Sequence, residues 1–463
     1  MSEAINERKK QLFSTKKNGY DRIAKEELPL MEDYCKAYRH FLDHGKIERE
    51  CASQAVELAK KAGFVEFQRG MTLHAGDKVY TCNRGKSVML AVIGQKSLSE
   101  GSHIVACHID SPRLDLKPNP LYEEAEMAYF KTHYYGGIRK YQWVTIPLEM
   151  HGVLALKDGT VIPVVLGEGD EPKFVITDLL PHLGAEQNKK PLGEAIPGET
   201  LNILLGSCPV GDDDDTERVK LQIMERLNTK YGITEDDFNS AELEVVPATM
   251  STEIGLDGSL IGAYGHDDRV CGYAALQAIL EIDHPQHTAV CMLADKEEIG
   301  SMGVTGMQSA AFDTFMEDLC DAQGILLREC FEKSFCLSSD VTAAYDPNFA
   351  EVYEKRNSAL INYGLGLCKY TGARGKSGSS DASAETVAFA RRVLDDAGVI
   401  WQIAELGKVD AGGGGTVAMF MANRNIATLD AGVPVLSMHA PFETVSKLDC
   451  YMTYKGCKAV YEA

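Results

Sequence analysis

Six side chains able to hold a metal ion occur in chain order as His108, Asp267, Glu297, Glu298, Asp340 and His439. Each lies at or near the end of a short apolar run of strand-like composition. The segment LADKEEIGS is the sharpest, because adjacent carboxylates Glu297 and Glu298 come just after the run TAVCMLA. Burying such a pair is costly unless the charges are paired or ligated. Two acids at the mouth of a buried strand therefore point to a metal site with a built-in base. Oxygen and imidazole donors without thiolate suit catalytic zinc, manganese or cobalt. The set reads as a two-metal hydrolase.

Taken singly, these residues say less. His108 stands in ACHIDSP, and Asp110, two residues on, projects to the same face of an extended chain, where it can hold the imidazole from behind. Asp267 and Asp268 open the predicted helix RVCGYAALQAIL, so helix cap and ligand are both open readings there. Asp340 ends SFCLSSD and His439 ends VPVLSMH.

The elements that must position these side chains alternate strand and helix. Residues 20–64 carry apolar and charged positions at helical spacing and stop at Gly63. KVYTCN, VMLAVIG and HIVACHID follow as strands. From about Lys117 to Pro247 the texture changes to short β-rich runs such as GVLALKDGTVIPVVLG and LNILLG, with turn signals every few residues. The strand-then-helix rhythm returns with TAVCMLA, SFCLSSDV, ASAETVAFARRVLDDAG and VIWQIAEL, and a last helix is expected over Leu448 to Glu462. This predicts an α/β protein: a three-layer sandwich of residues 1–116 and 248–463, interrupted by a β-rich insertion at 117–247.

Composition bounds the function classes. The 463 residues are 44% hydrophobic and 25% charged, ordinary for a globular chain of two domains. A net charge of −21 argues against nucleic acid or an anionic membrane as partner. The 13 cysteines are scattered without a C-x-x-C pair and read as small core residues. The N-terminus is too polar for a secretory signal and no run is long enough to span a membrane, so the cytoplasm is the expected compartment. Asp212 to Asp215 lacks the alternating ligands of a calcium loop and reads as a solvated turn. Gly375-Lys376-Ser377 lacks the leading glycine of a phosphate loop, and DAGGGG lacks dinucleotide-binding spacing.

The ordered strings ACHIDSPRLDLKPNPLY, YYGGI followed by Trp143, GHDDRV, DKEEIGS, SSDVTAAYDPNF, GGGGTVAMF and SMHAPFE resemble the aspartyl aminopeptidase and aminopeptidase I family of dinuclear metallopeptidases. The likeness covers nearly the whole chain, and YTGARGKSGSSDASAE and GGGGTVAMF place it closer to the aminopeptidase I branch. The resemblance implies one metal held by His108, Asp267 and Asp340 and another by Asp267, Glu298 and His439, with Asp267 bridging. Glu297 would be the general base and Asp110 would sit behind the ligands. Two cations about 3.5–4 Å apart lower the pKa of a shared water and clamp the developing oxyanion.

Zinc is the default metal, with Mn²⁺ and Co²⁺ also accepted by such donors. The implied substrates are peptides with a free N-terminus. The implied assembly is a homo-oligomer, a tetrahedral dodecamer whose insertion mediates dimer contacts and sends a histidine to a neighbouring site. His182 in DLLPHLG is the best match to that histidine, with a plain loop residue as the other reading. Gly412 to Gly415 resembles the family's substrate-side loop. Two other functions stay open: a related dinuclear hydrolase such as an N-acyl amino acid deacylase, and an inactive scaffold. An acid-specific site would need a cation facing the substrate's first side chain, for which Lys369, Arg374 and Lys376 are available.

Overall fold

The run TAVCMLA forms the strand Thr288–Ala294, every residue of which is buried. It pairs in parallel with Ser102–His108 and antiparallel with Ser87–Val92 at the middle of a nine-stranded sheet. Such strands can be apolar throughout because helices cover both faces. In the computed structural model, which describes residues 3–463, alternate residues feed two cores. Val88, Leu90 and Val92 face helices Glu27–Asp43, Glu48–Lys61, His266–Leu280 and Lys447–Glu462. Met89, Ala91 and Ile93 face Ala311–Asp321, Leu327–Lys333 and Ala418–Asn423. The result is the expected three-layer α/β sandwich. The stretch 20–64 is two helices, broken where Gly45 leaves no space: a Cβ there would lie 2.9 Å from the Phe41 carbonyl oxygen.

Strands Ser102–His108, Thr288–Ala294, Phe335–Ser338 and Ala427–Gly432 run parallel, so their carboxyl ends share one edge. A ligand crevice belongs at such an edge. The chain also forms a five-stranded sheet not evident from the sequence. Its strand Glu443–Ser446 pairs with Leu260–Ala263, the strand leading into helix His266–Leu280.

A six-stranded antiparallel sheet is made wholly of residues between Arg113 and Pro247. It has its own core around the fully buried Trp143, which meets Tyr264 edge-on at 6.4 Å between centroids. Its amphipathic helix Arg218–Tyr231 ends on Gly232 in the left-handed conformation, φ +73. Charges also join this sheet to the sandwich. Arg113 reaches Glu48 at 3.2 Å, Glu244 at 2.9 Å and Asp115 at 2.8 Å, while Lys86 reaches Glu48 at 2.9 Å.

Eleven of the cysteines are buried, Cys82 is half-buried and Cys208 exposed, and none is in a disulfide. The Asp212–Asp215 run is an exposed turn, with the Asp212 N–H donating to Asp215. No helix starts at Ser377; the next begins at Ala384. Among the described residues no helix is long and apolar enough to cross a membrane.

Candidate metal centre

His108 is the last residue of its strand, and Asp340 follows Phe335–Ser338 by two residues. Glu297 and Glu298 begin a short 3-10 turn just beyond Thr288–Ala294, entered through Lys296 at φ +69. Asp267 opens helix His266–Leu280, and His439, itself at φ +64, stands between the strands Pro434–Leu436 and Glu443–Ser446. Five separate segments thus deliver their side chains to one crevice.

Within it, donor atoms of His108, Asp267 and Asp340 lie within 4.8 Å of one another, as do those of Asp267, Glu298 and His439. Asp267 belongs to both groups. Its Oδ1 is 3.3 Å from His108 Nε2 and its Oδ2 is 3.1 Å from His439 Nε2. Each imidazole turns Nε2 to the cluster and Nδ1 away, His108 toward the Asp110 carbonyl at 3.1 Å and His439 toward the Gly137 carbonyl at 3.0 Å. A hydrogen bond on the rear nitrogen selects the tautomer that leaves the front one free to ligate.

The electrostatics also suit cations. Burial, then the Asp267 charge, pushes the Glu298 carboxyl well up, and its buried Oε1 accepts no hydrogen bond. Burial raises Asp340 too, only partly offset by His108. Glu297 is pushed up to about 8, by burial first and then by the carboxylates of Asp340, Asp110 and Asp267 against the pull of His108. Burial works against ionised Asp267 as well, yet hydrogen bonds from His108 and His439 hold it below the usual range. Carboxylates packed this densely need positive charge among them, and divalent ions held by these oxygens and imidazoles would provide it. The residues fit a pair of zinc-type ions.

Behind the donors stand two carboxylate clamps. Asp110, fully buried, accepts the Glu297 N–H at 3.1 Å, the Glu298 N–H at 3.2 Å and the Tyr135 hydroxyl at 2.8 Å. Glu443 accepts the His439 N–H at 2.6 Å and the Asp267 N–H at 3.0 Å. Sequence reasoning singled out neither Glu443 nor Tyr135, although both lie in strings that it quoted. The two glycines of the YYGGI string also lie against the cluster: a Cβ on Gly136 would lie 3.2 Å from Glu298 Oε2, and one on Gly137 would lie 3.1 Å from His439 Nδ1. Asp267 does not cap its helix, since Gly265 is the N-cap, and the Asp267–Asp268 peptide is cis. Asp268 lies outside both donor groups, with its Oδ2 against the His108 N–H at 3.4 Å. His182 sits in an exposed turn away from the cavity lining.

A family model described as aminopeptidase I zinc metalloprotease (M18) matches residues 41–461. The chain belongs to the M18 family. A Clostridium acetobutylicum protein described as a probable M18 family aminopeptidase 1 is 47% identical to it, over 97% of this chain and 98% of that one. The crystal structure of an M18 aminopeptidase from Thermotoga maritima superposes with a TM-score of 0.93 at 42% identity, covering 97% of this chain and all of that one. A solved dodecamer of the S. cerevisiae protein mApe1 shares the fold at 20% identity and a TM-score of 0.75, over 92% of this chain and 96% of that one. This M18 chain is thus a metalloaminopeptidase on the aminopeptidase I side of its family, as the quoted strings implied.

Proposed function

We propose that the chain removes single N-terminal residues from peptides at a dinuclear centre. His108, Asp267 and Asp340 would hold one ion, and Asp267, Glu298 and His439 the other. The observation that carries this is the placement of Asp267 between two imidazoles, one oxygen toward each. Two bound zinc ions would polarise the scissile carbonyl and acidify the attacking water. Mn²⁺ and Co²⁺ suit the same donors.

The chain's own part is proton transfer and positioning. Glu297 lies beside the cluster, its Oε2 3.9 Å from His108 Nε2, where it takes the water proton and returns it to the departing amine. Asp110 fixes the backbone of Glu297 and Glu298 and backs His108, its Oδ1 3.3 Å from Nδ1. A cavity of about 410 Å³ opens over the cluster and is walled on one side by Gly413, Gly414 and Gly415, giving room for one residue and the start of a chain.

The assembly proposed is a homo-oligomer in which residues 117–247 make the dimer contacts, the twelve-subunit form of mApe1 being the pattern. His182, exposed on that segment, would reach a neighbouring subunit's cavity.

The test uses metal analysis with paired substrates. Two ions per chain are expected, with hydrolysis of aminoacyl-p-nitroanilides and none of their N-acetyl forms. Release of acetate from N-acetyl amino acids would favour the deacylase reading. Two bound ions with no turnover of either would favour the scaffold.

A further inference from the structure

The cavity over the metal centre extends along the sheet edge to a carboxylate that the proposed chemistry does not use. Asp430 lies in strand Ala427–Gly432, next in register to Ser338 on one side and Cys368 on the other. It lines the cavity and is only 3% exposed. Its Oδ1 accepts the Thr416 hydroxyl at 2.7 Å, while its buried Oδ2 accepts no hydrogen bond. No lysine or arginine is paired with it among the described residues, and none lines the cavity.

The cations available to the sequence point elsewhere. Lys369 and Lys376 both pair with Asp381 at the exposed surface, at 2.9 and 3.1 Å, and Arg374 is exposed. The cavity shared by the metal donors and Asp430 also has apolar or weakly polar walls: Val341, Leu406, Met438, Thr342 and Cys368. An alkyl stem ending in a positive charge matches these walls, since the stem can bury against the apolar ones and the head can meet the acid. A carboxylate there would face Asp430 with no cation between them.

We propose that Asp430 is a specificity-determining residue and that the enzyme prefers N-terminal lysine and arginine. This rests on the aminopeptidase reading of the same site. Thr416 also accepts the Ala418 N–H at 3.3 Å, so the Asp430–Thr416 bond steadies the loop before helix Ala418–Asn423. Burial pushes the Asp430 carboxyl up to about 7 and a cation beside it would draw it back down; Asp430→Asn retains an oxygen for Thr416 while removing the ionisable acid.

The experiment measures kcat/KM for Lys-, Arg-, Leu-, Met- and Glu-p-nitroanilide on the metal-loaded wild type and on Asp430→Asn. Lysine and arginine are expected to exceed leucine and methionine by at least about tenfold, with glutamate lowest. In Asp430→Asn the lysine-to-leucine ratio should collapse by about tenfold or more, a change that general loosening of the loop would not produce. Lysyl and leucyl peptides bound to Glu297→Gln, read by calorimetry, should show the same order. Turnover with leucine or methionine equal to or above lysine on the wild type overturns this inference alone, whether or not Asp430→Asn folds. Metal-loaded protein that cleaves no nitroanilide overturns the aminopeptidase reading, and this inference with it.

Discussion

The Tyr135 hydroxyl donates a 2.8 Å hydrogen bond to Asp110 Oδ2, with both side chains buried. Tyr135 closes the strand Met127–Tyr135 of the six-stranded sheet, whereas Asp110 follows a strand of the nine-stranded one. The six-stranded sheet therefore reaches the back of the candidate metal centre. Removing the hydroxyl leaves Asp110 its two backbone donors and His108, so the loss should be graded. Tyr135→Phe is expected to weaken zinc binding by about tenfold, the size of effect such outer contacts have elsewhere. Chelator competition reads it, and unchanged affinity would remove Tyr135 from the site's support.

Glu297→Gln keeps the backbone N–H that anchors the turn to Asp110 and removes only the basic oxygen. We expect kcat to fall by about 10²–10⁴ with both ions still bound. Metal content by mass spectrometry beside initial rates separates the two roles. A variant that turned over at the wild-type rate would reassign the base.

Stripping the metals should abolish hydrolysis and lower the melting temperature, because ions that bind only the folded chain stabilise it. At free zinc about 1,000 times Kd the stabilisation is about 4 kcal/mol per site. Thermal melts with and without chelator test this, and zinc should restore activity and melting point together. A melting point indifferent to chelator would speak against preformed sites.

Arg113 lies between Glu48, Glu244 and Asp115, with its guanidinium 3.9 Å from the Tyr135 ring centroid. Arg113→Met would leave buried Glu48 and Glu244 without it. Breaking one partner of such a buried network costs about 3–5 kcal/mol, and urea unfolding should show a loss of that order. A loss under 1 kcal/mol, on the order of an exposed pair, would mean that water already screens these charges.

His103 is 6% exposed, stacks on His287 at 4.5 Å between centroids, and is pushed down to about 4, by burial first and then by His287. Between about pH 6.5 and pH 4 the unfolded chain takes up this proton and the folded chain does not. Stability should therefore fall as pH drops through that window, by up to about 3 kcal/mol from this residue. His103→Gln should flatten that part of the stability profile, and a profile identical to wild type would contradict the assignment.

The apolar runs TAVCMLA and HIVACHID are legible as buried strands because a sheet covered on both faces excludes polar residues from its middle strands. The candidates His108, Asp267, Glu297, Glu298, Asp340 and His439 stand out because metal-ligating types recur at the ends of such runs, while their division into ligands and base came from the family resemblance. Periodicity says nothing of partners far along the chain. It could not show that Glu443, 176 residues from Asp267, holds that residue's backbone, nor that Tyr135 backs Asp110. Nor did Asp430 differ, as a letter in a strand, from any acid satisfied by a neighbour. Composition and order along the chain determined the sandwich through local pattern, and they yielded a set of candidate metal ligands through residue types at strand ends together with the family resemblance. Only the tertiary structure decided which oxygen faces which imidazole, which lysines turn outward to Asp381, and which acid lines the cavity, because those depend on how distant segments pack.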